Sequence, residues 1–252
     1  MEGPGPGTQL GERYTVRQRT HVTPSWERWT ATDEHLQRDV SVFCFSATDP
    51  YAAAALDAAR QVAPVDNPRL VRVLDVGSDV RYGYVIEEPL TNAQSLADLA
   101  ATGDLAAEEV RRIIGEASLG LEAAAQRGLH HLLLSPESLV RLPGGPVKVL
   151  GLAVAAALDG REEKPSAQAA RTDAVGLVAV LYAGLTGTWP STLVASQLPS
   201  ARRVVGGVPS PSEVIGYAPA DLDTICRLTL NDDLGPTSPG DLAGQIAPWS
   251  LA

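Results

Sequence analysis

The stretch Gly128–Val140 reads G-L-H-H-L-L-L-S-P-E-S-L-V and gathers two imidazoles, a carboxylate and two hydroxyls within thirteen residues. His130, His131 and Glu137 could in principle hold a metal. However, the chain has only four histidines and neither H-E-x-x-H nor paired-cysteine spacing, so no metal-binding residue is assigned. No G-x-S-x-G elbow and no G-x-x-x-x-G-K-[ST] loop occurs, which removes the ordinary hydrolase and NTPase readings. Cys44 and Cys226 lie far apart and read as buried free thiols in a reducing compartment. Glu87-Glu88 reads as a solvated pair rather than an acid–base couple.

The elements that must position these groups fall in a simple order. Strand-like segments begin at Tyr14 and recur at 26–33, 39–46, 70–76 and 82–87, with an Ala-rich helical stretch at 51–62. From Ser95 the texture turns helical, and Val110, Ile113, Ile114, Ala117 and Leu121 keep helical spacing within 106–126. Pro143-Gly144-Gly145-Pro146 predicts a hairpin turn, and 159–171 a polar mobile segment. Thr172-Asp173 reads as the cap of a helix over 174–185, and 196–216 as a long loop. Two short helices, near 219–230 and 240–249, complete the pattern. Strands first and helices after predict an α+β fold, with a flexible lead-in at 1–12, a sheet lobe at 13–90 and a helical lobe at 91–252.

The 252 residues carry a formal charge of −10 and are 44% hydrophobic. Such an acidic balance argues against nucleic-acid partners, since phosphate contacts need a basic face. No run approaches the roughly 20 apolar residues of a membrane span, so any membrane link is expected only through segments outside this chain.

In this order the segments resemble the bacterial serine/threonine protein-kinase fold. Gly11-Glu12-Arg13-Tyr14 resembles the opening of such domains, R-D-V-S-V-F-C-F the R-x-V-A-V-K-V-L strand, and Asn67–Val71 the H-P-N-I-V stretch. Tyr84–Leu90 resembles the hinge. Gly128–Val140 resembles the catalytic loop H-R-D-x-x-x-x-N, and Asp173 with 181–187 the D-V-Y-A-L-G-x-x-L-Y-E-L-L-T-G helix. The resemblance implies a two-lobed kinase-like fold.

On the same frame the charged chemical parts are replaced. Phe43 stands at the third-strand lysine, Leu133 at the catalytic aspartate, Ser138 at the metal-binding asparagine and Gly151 at the D-F-G aspartate. The glycine-rich loop falls on Thr20–Trp26, which has no glycine. The expectation is therefore a pseudokinase and not an enzyme, with no catalytic residue, no cofactor and no metal. In the family, the positions of His131 and Asp173 are structural: the histidine packs beneath D-F-G and the aspartate ties down the catalytic loop.

The implied role is a regulatory protein-binding scaffold. Its expected partners are an active Ser/Thr protein kinase that phosphorylates it and a phosphothreonine-binding forkhead-associated protein that docks on it. Thr237, in G-P-T-S-P-G, is the candidate acceptor. The alternative is a magnesium-independent nucleotide-binding sensor. The texture also resembles the intracellular part of mycobacterial lipid-flippase-like membrane proteins, which implies a cytoplasmic location and a link to cell-wall synthesis.

Overall fold

The computed structural model describes residues 3–162 and 164–249. They form two compact units: residues up to 67 with 71–91 and 151–162, and residues 68–70 with 92–150 and 163 onward.

The first unit is built on a six-stranded antiparallel sheet, β1 (Gln9–Leu10), β2 (Tyr14–Val22), β3 (Trp26–Asp33), β4 (Arg38–Ser46), β5 (Val73–Ser78) and β6 (Tyr82–Glu87), in the order β1-β2-β3-β4-β6-β5. β-branched and aromatic side chains suit the pleat, and their alternation sets two faces. Val40, Val42 and Cys44 of β4 join Trp29, Ala31, Tyr82, Tyr84, Ile86 and Leu10 in one apolar cluster. Phe43 and Phe45 point the other way and are also buried, because β4 is covered on both faces. Helix α1 (Ala52–Val62) packs on β5 and β6, and the short α4 (Val154–Leu158) packs on α1. The expected free lead-in is corrected over its described part. Gly7 N–H donates to Val16 O, β1 pairs with β2, and Leu10 is fully buried, since an apolar side chain there finds the sheet core.

Asp33 closes this sheet electrostatically. Its carboxylate accepts from Arg13 Nε at 2.9 Å and Nη2 at 2.8 Å, and from the backbone of His35 and Leu36. The Arg13 bonds, more than its opposing burial, hold its pKa down to about 2 from an ordinary 3.8. A depressed carboxylate stabilises the fold fully above its unfolded value, and the contribution is lost as pH falls through the folded one. Urea midpoints measured from pH 5 downward should fall between roughly pH 4 and pH 2, and Asp33→Asn should flatten that part of the profile. An unchanged slope in the variant would place the acid sensitivity elsewhere.

The second unit is mostly helical. A small sheet of β7 (Gln94–Ser95), β8 (Leu139–Arg141) and β9 (Val147–Val149) accompanies α2 (Leu96–Ala101), α3 (Ala107–Ala125), α5 (Ser166–Thr186), α6 (Pro211–Ile215), α7 (Ala220–Asn231) and α8 (Pro239–Ile246). α5 is central: residues 177–185 are all buried, against α2, α3, α6, α7 and α8. A helix apolar all round belongs in a core. Gly184 lets α3 approach, since a Cβ there would stand 2.7 Å from Val110.

Two expectations change in this unit. α5 begins at Ser166, inside the segment expected to be polar and mobile, because alanines at 167, 169 and 170 extend it backward. Asp173 therefore lies inside the helix and is not its cap; Thr172 Oγ1 donates to Gln168 O one turn back. The loop expected over 196–216 contains α6, started by a reciprocal Ser210–Glu213 capping box. Among the described residues, no helix is long and apolar enough to cross a membrane.

Candidate functional site

In the second unit, the loop after α3 is organised by Asp173. Its side chain is buried, and its two oxygens accept from the backbone N–H of His131 at 2.9 Å and of Leu132 at 2.7 Å. Leu132 sits at φ +60°, a left-handed conformation that costs an L-residue about 1–2 kcal/mol. The carboxylate offsets this cost by capturing both donors at the bend. His131 is buried too: Nε2 lies 2.8 Å from Leu150 O and Nδ1 is 3.3 Å from Leu133 N. Those bonds assign the proton to Nε2, with Nδ1 accepting. Burial lowers the imidazole pKa and Asp173 opposes it only in part, so the ring is neutral near pH 7.

The remaining sequence-marked residues of this loop take uncharged places. Leu133 and Ser138 are half-buried. Ser138 Oγ accepts from Ser135 N at 3.2 Å, closing the 3-10 turn Pro136–Ser138. Glu137 turns away to bind Ser196 Oγ and Gln197 N, both at 2.8 Å. Leu150 N donates to Ser138 O, so the loop and the end of β9 are tied together.

In the first unit, Gly151 adopts φ +76° and Ala153 φ +58° just before α4. Phe43 is almost fully buried in an aromatic column, stacked on Trp26 at 4.6 Å, with His21 5.0 Å beyond Trp26 and Phe45 6.1 Å away edge-on. Arg28 is the cross-strand partner of Phe43 and carries its guanidinium 5.6 Å from the ring centroid. It forms a buried ion pair with Glu87 of β6. Burial draws the Arg28 pKa down to about 10, which leaves it charged near neutrality. Glu87 is thus no solvated hinge group: its side chain points inward because the period-two register puts it on the Phe43 face. Sequence reasoning missed this pair. The available signal was an arginine set between Trp26 and Trp29 in a strand otherwise reading as core.

Both cysteines are buried and free, as the spacing predicted; desolvation pushes the Cys44 thiol up to about 12 and the Cys226 thiol also upward.

Comparison with known proteins gives the frame a family context. The chain is 28% identical over 238 residues to "Serine/threonine-protein kinase PknL" of Mycobacterium tuberculosis, covering 86% of this chain and 60% of that protein. It is 26% identical over 166 residues to "Serine/threonine-protein kinase PknA" of the same species, and 24% identical over 262 residues to "Probable serine/threonine-protein kinase PknB" of Bifidobacterium longum, spanning 38% of each. No family model matches. The structure of Rad53 1–466 in complex with AMP-PNP superposes with a TM-score of 0.72 at 14% identity, over 94% of this chain and 66% of that one.

The expectation of a non-enzyme is corrected by these relatives, whose names are those of serine/threonine-protein kinases and which point to a kinase. Beside Phe43, the first unit carries a buried Arg28–Glu87 ion pair. The chain has the α+β protein-kinase-like fold and is similar over most of its length to bacterial serine/threonine protein kinases.

Proposed function

We propose that this kinase-fold chain works in serine/threonine-kinase signalling as a regulated docking platform, phosphorylated on Thr237 by an active Ser/Thr protein kinase. The phosphorylated site is then read by a forkhead-associated domain. The observation that carries this reading is the setting of Thr237. It is exposed, lies between Pro236 and Ser238 immediately before α8, and donates its hydroxyl to Asp241 at 3.2 Å.

The turn is held from below. Arg171 donates to Pro236 O and Leu234 O and pairs with Asp233, so the segment is presented on a fixed support. A phosphoryl group of roughly −1.5 to −2 charge would displace the Asp241 carboxylate, gain from the start of α8, and offer three oxygens to a basic reader. We infer in addition a cytoplasmic, membrane-tethered setting in control of cell-wall synthesis, the setting that a likeness to the intracellular region of the mycobacterial membrane protein MviN would imply.

The test is phosphorylation by an active cytoplasmic Ser/Thr kinase followed by site mapping in the mass spectrometer. Phosphate is expected on Thr237, and Thr237→Ala should remove both it and capture of a forkhead-associated domain. Phosphate confined to other residues would remove the proposal.

A further inference from the structure

A cleft of about 540 Å³ in the second unit is lined by Gln94 beside β8, by Glu109 and Arg112 of α3, by Arg141, and by the turn at 142–145. The Arg112 side chain is only 7% exposed and spends Nε and Nη2 on Glu109, at 2.8 and 2.7 Å. Arg141 reaches the same carboxylate with Nη1 at 3.2 Å and Gln94 Oε1 with Nη2 at 3.2 Å. Among the described residues, Arg112 Nη1 and Arg141 Nε have no acceptor. The hydrogen bonds from Arg112 hold the Glu109 pKa below its ordinary value, so the carboxylate stays charged. Glu109 lies between two guanidinium groups, and Glu116, the other carboxylate that acts on Arg112, is paired with Arg69, so one positive charge stays uncompensated on a protein whose net charge is −10.

That residual charge selects a ligand. A single carboxylate brings the cleft to neutrality and can accept charge-assisted hydrogen bonds from the open arginine donors. A phosphate dianion overshoots neutrality, and its second charge adds to the repulsion from Glu109 that any anion meets there. Leu142 and Pro143 give the cleft an apolar wall, and Gly144, whose Cβ position is open, leaves its rim clear for a chain to pass. We propose that this cleft binds a peptide carboxylate of a partner protein, with Arg112 and Arg141 as the recognising groups.

The site is independent of Thr237, and so is its test. The full chain would be titrated with Ac-Ala-Leu-Glu-Leu-NH2, with Ac-Ala-Leu-Ala-OH, with the neutral Gln analogue of the first, and with inorganic phosphate. Amide shifts of Gly144 and Gly145 and the Arg141 Nε–H signal would be followed by NMR. Saturable shifts are expected with one or both carboxylate peptides, at least tenfold weaker with the Gln analogue. Which peptide binds more tightly identifies a side-chain or a terminal carboxylate as the ligand. Arg141→Gln should weaken binding roughly tenfold, while its melting point stays within about 2 °C of the parent, since the residue is partly exposed. Equal shifts with the Gln analogue, tighter binding of phosphate, absence of saturable shifts, or indifference to Arg141→Gln would each overturn the proposal.

Discussion

Asp173→Ala is expected to lower the unfolding free energy by about 3–5 kcal/mol and the melting temperature by on the order of 10 °C. The substitution removes both acceptors from the His131 and Leu132 N–H groups, and each buried donor left unpaired costs about 1–3 kcal/mol. It also frees the left-handed Leu132 from the carboxylate that holds its N–H. Asp173→Asn keeps one acceptor oxygen and should cost about half as much. Hydrogen exchange supplies an independent reading, because amide protection at 131 and 132 should fall before that of the surrounding helices. If the alanine variant melts within about 2 °C of the parent, the two amides find other partners and Asp173 is not the clamp.

Breaking the Arg28–Glu87 pair from one side should be as damaging. Glu87→Ala leaves a guanidinium buried without its carboxylate, a change that typically costs about 3–5 kcal/mol. Replacing both partners by apolar residues of similar volume, Arg28→Met with Glu87→Leu, should recover most of that loss, because neither charge then needs desolvation. The double-mutant cycle from urea midpoints would therefore be strongly non-additive. Additive losses would show that each charge is stabilised by groups other than its partner. The cycle also separates the pair from the aromatic column beside it, since Phe43, stacked on Trp26, is unchanged throughout.

Much of the fold was legible because local rules and tertiary packing agree. In β4 the run Val42–Phe45 is apolar without a break, as a strand covered on both faces must be, and β6 was read with the bounds it has. The helical spacing of Val110, Ile113, Ile114, Ala117 and Leu121 marks the buried face of α3. His131 and Asp173 were placed through the resemblance, and the structure joins them by a direct bond. Where α5 begins was not legible, because the alanine-rich and polar residues at 166–171 satisfy helix and loop alike and only Ala169 of them is buried.

The kinase-like frame came through a resemblance and Thr237 stands as a proposed acceptor; residue types and their order by themselves determined the α+β layout and the free buried thiols. These depend on periodicity, on spacing and on which groups are present, all of which are properties of a linear chain. Only the tertiary structure decided that Asp173 holds a strained bend rather than capping a helix, and that Glu87 meets Arg28 in the core. It also decided that Arg112 and Arg141 share one carboxylate. Each rests on a pairing across 32 to 59 residues, which strand register and helix packing create and no local pattern encodes.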